Sequence, residues 1–121
     1  MSNENLQHIH KPIILRIVEL NKLCVAIGQH AYKLVRHSYV ETLLSHANII
    51  YMLAFRQLRG KDTHKRIVET LEELQAQVYF LAALDACGSK YAAMVDELVD
   101  DILEQAGKVR SASLCQSRQS T

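Results

Sequence analysis

The sequence predicts an all-α protein, an up-down-up-down four-helix bundle. Apolar residues recur every third or fourth position along nearly the whole chain, and nowhere with the two-residue period of a strand. Helix formers dominate 121 residues that include one Pro, four Gly and no Trp. Breaks in the pattern divide it into four nearly equal segments with short joints, the arrangement of antiparallel helices in a bundle. At this length and 49% hydrophobic residues, one domain can bury a core of its own.

The first helix is expected at 11–34, with Ile13, Ile17, Leu20, Cys24, Ile27, Ala31 and Leu34 along one face. Pro12 suits its first turn, where a missing N–H is no loss. Gly28 is one candidate for its end, but the stripe stays in phase through Ala31 and Leu34. Ser38, followed three residues later by Glu41, has the form of a capping box, which places the turn at Val35–Ser38. The second helix, 39–59, then carries Val40, Leu44, Ala47, Tyr51, Ala54 and Leu58. A break at Gly28 instead leaves one short and one much longer helix, a poor match in a four-helix packing.

Gly60 closes the second helix, and Asp62 or Thr63 can cap the third, 62–86, whose stripe is Ile67, Leu71, Leu74, Val78 and Leu81. Gly88 ends it and Ser89 can cap the fourth, 89–110, with Tyr91, Val95, Leu98, Ile102, Ala106 and Val109. Residues 1–10 read as a flexible N-terminus, 11–110 as the bundle, and the polar, Ser-rich SASLCQSRQST of 111–121 as a disordered tail.

Charge is unevenly spread. Residues 1–66 hold ten Lys/Arg against four Asp/Glu, and residues 67–121 hold four against nine. Cys24, Cys87 and Cys115 have no paired spacing and read as reduced thiols. The opening MSNENLQHIH lacks the layout of a signal peptide, and the longest apolar run, ANIIYMLAF, is too short for a bilayer. The expectation is a cytoplasmic protein with no membrane partner.

Alternating helix direction sorts these charges. The joint near 60–61 shares one end of the bundle with both termini. That end gathers Arg56, Arg59, Lys61, His64, Lys65, Arg66, Lys108 and Arg110, with Lys11, His8 and His10 nearby. The opposite end receives only Lys33, Arg36, His37 and Lys90, while Asp96, Glu97, Asp100, Asp101 and Glu104 lie along the middle of helix four. A cationic end of this density, containing a helix N-terminus, is a candidate phosphate-binding surface for RNA or DNA. Phe55 is the one aromatic residue there, so backbone contact is favoured over base readout. The plainer alternative has the same cations solvated or paired with Glu19, Asp62, Glu69 or Glu104. ANIIYMLAF is apolar almost all round, and Met94, Val99 and Leu103 flank the main stripe of helix four. Such a surplus favours self-association.

No Gly-rich phosphate loop, HExxH, CxxC or GxSxG occurs, the histidines form no metal set, and no cofactor is expected. Arg59-Gly-Lys-Asp-Thr-His64 resembles the R-x4-H motif of HEPN-family ribonucleases, themselves small helical bundles. Here it sits in a tight joint, whereas that family carries it on a helix. This keeps an RNA-cleaving alternative open beside a protein-interaction module that binds no nucleic acid.

The whole pattern over roughly residues 10–110 resembles the Avd family, accessory proteins of diversity-generating retroelements, and the related four-helix proteins of ribosomal-RNA intervening sequences. The resemblance rests on the short basic joint Val35-Arg36-His37-Ser38, where the family often has Phe-Pro-Arg, and on Ala54-Phe55-Arg56 closing a helix. Leu71, Leu74 and Leu81 in the next helix, and the step Ala83-Leu84-Asp85-Ala86 toward Tyr91, complete it. The chain departs from the family in having Val78-Tyr79-Phe80-Leu81 where many members carry an arginine. It also lacks their Gly-Gly-Trp ending, reading Glu104 to Arg110 there, and is nearly neutral overall. The resemblance implies a non-enzymatic homo-oligomer, pentameric in the family. Such a protein binds a reverse transcriptase and its template RNA and supports cDNA synthesis.

Overall fold

A computed structural model gives the fold, describing residues 11–31 and 36–119, with Arg36, His37 and residues 112–119 described by their backbone. Helix α1 is Pro12–His30, α2 is Glu41–Leu58, α3 is His64–Ala83 and α4 is Ser89–Gln119, and a single π-helical turn, Arg36–Val40, leads into α2. Each helix packs on the next and α4 closes back on α1, so the four stand at the corners of a square. Cross-links fix the alternating direction. The His30 ring lies 5.9 Å from that of Tyr91, and Arg16 Nε pairs with Asp101 at 2.5 Å, so α1 and α4 run antiparallel. His46 meets both Glu73 and Gln77 at 3.0 Å, and Asp96 accepts from Gln75 and Tyr79. The up-down-up-down bundle read from the sequence is the fold observed.

Ile17, Leu20, Cys24 and Ile27 meet Leu43, Ala47, Ile50, Ile67, Leu71, Leu74, Val95, Ile102 and Ala106 in one core from which solvent is excluded. Truncating any one of the Leu or Ile side chains to Ala should cost about 2–5 kcal/mol, because a core at this density collapses only partly around the gap. The α3 stripe is as expected, and so is the α1 stripe from Ile13 to Ala31. On α2 the buried line is Leu43, Ala47, Ile50, Ala54 and Gln57, while Leu44, Tyr51 and Leu58 are half-buried at its edge. On α4, Ala92 and Val99 are buried where Tyr91 and Leu98 were expected innermost.

The first joint differs from expectation. α1 ends at His30, and Ala31 turns to extended backbone (φ −80°, ψ 149°) while staying buried. Leu34 lies outside the described residues. Arg36–Val40 is already wound, so Ser38 lies within the π turn instead of ahead of a helix. The residue flanking α2 is Val40, whose side chain makes no capping hydrogen bond. The capping box therefore does not set this boundary. Close packing at Gly28 provides the physical reason: a β-carbon there would stand 2.7 Å from Val40 Cγ1. Only glycine lets the π turn approach α1 so closely.

The other two joints share one design. At the end of α2 the Gly60 N–H donates to Gln57 O (3.0 Å) and the Lys61 N–H to Arg56 O (3.1 Å), with Gly60 at φ +95°. This is a Schellman cap with glycine in its left-handed position, as the sequence indicates. At the end of α3 the Asp85 N–H donates to Ala82 O (3.0 Å) and the Ala86 N–H to Leu81 O (2.8 Å), with Asp85 at φ 57°. The left-handed residue is thus Asp85, not Gly88, and α3 stops at Ala83 rather than running to residue 86. Ser89 is the first residue of α4 itself.

The largest correction concerns the tail. α4 does not end near Arg110 but continues to Gln119, through most of the segment expected to be disordered. Beyond Gly107 the chain offers neither Pro nor Gly to stop it, and each added residue gains a backbone hydrogen bond. Among the described residues no helix is long and apolar enough to cross a membrane.

Candidate nucleic-acid interface

The helix register brings the expected cationic end together. Buried Gln57, in the last turn of α2, donates from Nε2 to the carbonyl of Ala106 at 3.2 Å, which sets the end of α2 level with that part of α4. Thr63 Oγ1 donates to Leu53 O at 2.7 Å and ties the start of α3 to α2. Arg56, Arg59, Lys61, Lys65, Arg66, Lys108 and Arg110 are all exposed around these two links. Lys11, flanking α1, is exposed as well, while His8 and His10 lie outside the described residues.

Pairing then separates these cations. Lys108 reaches Glu104 at 3.5 Å across one helical turn, a solvent-screened contact. Among the described residues, Arg56, Arg59, Lys61, Lys65, Arg66 and Arg110 form no ion pair. Asp62, the nearest acid in sequence, points Oδ1 at the backbone N–H of His64 (3.4 Å). The alternative in which Glu19 neutralises this end does not hold either, because Glu19 pairs with Arg16 at 3.0 Å.

Two local features raise the positive potential further. The first turn of α3 holds Lys65 and Arg66 and no acidic residue, although a helix N-terminus favours negative charge. The Schellman cap folds Lys61 back toward Arg56, at the two positions where such caps commonly make an apolar contact. Arg56, Arg59, Lys61 and half-buried Phe55 line a cleft of about 450 Å³, and the Arg59 guanidinium lies 5.8 Å from the Phe55 ring centre. That cation–π pair was missed in the sequence reading, although Phe55 and Arg59 stand one helical turn apart, where side chains meet.

His64 behaves differently from its neighbours. It is half-buried, and its Nδ1 is enclosed without a hydrogen-bond partner among the described residues. Arg59 and His64 thus have contrasting surroundings, the guanidinium exposed over Phe55 and the imidazole turned partly inward.

The acids of α4 are largely engaged within the bundle. Asp96 accepts hydrogen bonds from Gln75 and Tyr79, and the carboxylate raises the Tyr79 phenol above its ordinary value chiefly through that bond. Asp101 holds Arg16, and Glu104 holds Lys108. At the opposite end, Lys90 is exposed. Among the described residues no three His, Cys, Asp or Glu side chains are grouped to hold a metal ion.

Fold and charge together define a small helical bundle with one basic end. No protein-family model matches the chain, nor does any curated protein or solved structure.

Proposed function

We propose that this protein is a non-enzymatic, oligomeric accessory factor that binds nucleic acid through the end carrying Arg56, Arg59, Lys61, His64, Lys65, Arg66, Lys108 and Arg110. The observation that carries this reading is the set of cations around the α2–α3 joint with no carboxylate partner among the described residues. Uncompensated charge at that density suits a phosphate backbone, whose bound counterions are released on association. The resemblance to the Avd family supplies the setting. The partner is a reverse transcriptase, the nucleic acid its template RNA, and the process cDNA synthesis in a diversity-generating retroelement.

Self-association has support of its own. Leu15, Val18 and Val25 are exposed along one line of α1, with Met52 of α2 also exposed. An apolar line of this kind is better covered than left in water. The family resemblance makes a pentamer the expected assembly, with each copy adding one basic end.

The test is binding of labelled RNA and DNA across a salt series, together with a mass measurement in solution. Affinity should fall steeply with salt, and Arg59→Glu with Lys65→Glu should weaken it by at least roughly tenfold. Unchanged binding in that double variant would remove the site. No affinity even at low salt would leave a protein-interaction module. RNA cleavage lost in His64→Ala would replace the reading with a ribonuclease, and a monomer or dimer would remove the retroelement setting.

A further inference from the structure

The cleft at the α2–α3 joint has a shape that general phosphate binding does not require. Among the described residues its walls are three cations and one aromatic ring, and its volume of about 450 Å³ falls within the roughly 300–1,000 Å³ of sites that enclose a small ligand. A duplex presents phosphates on a convex cylinder and keeps its base faces stacked inside, so it offers nothing to fill such a recess. An unpaired nucleotide offers both a phosphate and a bare base face.

The geometry points to a pocket for one unpaired nucleotide of a single strand, a reading that rests on the proposed nucleic-acid function and narrows it. Arg59 is exposed and its guanidinium already lies over Phe55, 5.8 Å from the ring centre. The Phe55 ring lies on one side of the guanidinium, and a base stacks from the open side. Arg56 and Lys61 take the phosphate. Their approach is imposed by backbone, because the Lys61 N–H is bonded to Arg56 O at 3.1 Å and Gly60 holds the left-handed turn between them. Because the backbone already brings the two residues together, that part of the ordering cost is met before the phosphate binds. The stack is indifferent to base identity, since every base has a π face. The pocket therefore selects strandedness, not sequence, and both RNA and DNA strands can enter it.

Fluorescence anisotropy with the full chain tests this. The probes are labelled oligouridylate and oligothymidylate and a duplex of matched length, at one fixed low salt concentration. Single strands should bind more tightly than the duplex. Arg59→Lys keeps the charge and loses the planar stacking surface, so it should weaken single-strand binding roughly tenfold and duplex binding by a much smaller factor. Phe55→Leu should do the same, and circular dichroism will show whether it remains folded. Arg59 is exposed, so its variant keeps the test decisive even if Phe55→Leu fails to fold. Duplex binding equal to or tighter than single-strand binding, or an Arg59→Lys variant that loses nothing, overturns the pocket and leaves the basic end as a general phosphate surface. No binding of any probe overturns the pocket and the proposed function together.

Discussion

Val40 Cγ1 occupies space that a β-carbon on Gly28 would need, at a separation of 2.7 Å. Gly28 is buried inside α1 and Val40 is the last residue of the π turn, so this contact is where the first joint is pressed against the bundle.

Gly28→Ala therefore sets two effects against each other. Alanine in a helix interior gains about 1 kcal/mol over glycine, and overpacking against a stiff β-branched neighbour costs about 1–3 kcal/mol. The expected outcome is a net loss of about 1 kcal/mol, read as a fall of roughly 3–5 °C in melting temperature. In a Val40→Ala background the clash is gone and the same change should stabilise. A cycle of the four proteins measured by urea denaturation checks the sign reversal, and equal effects in both backgrounds would count against the contact.

The two Schellman caps predict opposite responses. Gly60→Ala meets no atom within 4 Å but must adopt φ +95°, so it should destabilise by about 1–2 kcal/mol through backbone strain alone. Asp85→Gly removes that strain at φ 57° and should stabilise by about 0.5–1 kcal/mol. Paired melts at neutral pH test both. If Asp85→Gly lowers the melting temperature, the carboxylate contributes more than the turn costs.

Burial pushes the Cys24 thiol up from 9.0 to about 12. Between those values the unfolded chain has given up a proton that the folded chain retains, so rising pH favours unfolding. Stability should hold below about pH 8 and fall above about 9, with a slope approaching 1.4 kcal/mol per pH unit. Burial raises Cys87 as well, and it adds to the same trend. Urea midpoints measured from pH 8 to 10.5 should drift down in the native protein and less in Cys24→Ala. Iodoacetamide at pH 8 should leave Cys24 unmodified until denaturant is added, as peptide mass analysis will show.

How much of this was legible in the sequence depended on how sharply each helix distinguished its faces. In α3 every stripe residue from Ile67 to Leu81 is buried, because Glu69, Glu72 and Glu73 mark the outer face clearly. ANIIYMLAF has only Asn48 to mark its outer side, and the inferred stripe fell one residue off, at Leu44, Tyr51 and Leu58 in place of Leu43, Ile50 and Gln57. Gln57 itself was invisible as a core residue, since its burial depends on a carbonyl 49 positions away. The cationic end was readable from helix alternation alone. That, among the described residues, only Lys108 of these cations finds a carboxylate was not, because pairing is decided by which way Asp62, Glu19 and Glu104 turn.

The length of α4 has an electrical consequence. In a bundle of alternating helices the dipoles cancel in pairs, and each end shows two partial positive and two partial negative termini. Ala106 is level with Gln57 at the end of α2, yet α4 runs on to Gln119, so its terminal carbonyls lie about 20 Å further out at 1.5 Å per residue. Cancellation fails at that end. The amino termini of α1 and α3 outnumber the single carboxyl terminus of α2, and the backbone itself adds a positive bias to the surface where the cationic side chains already stand.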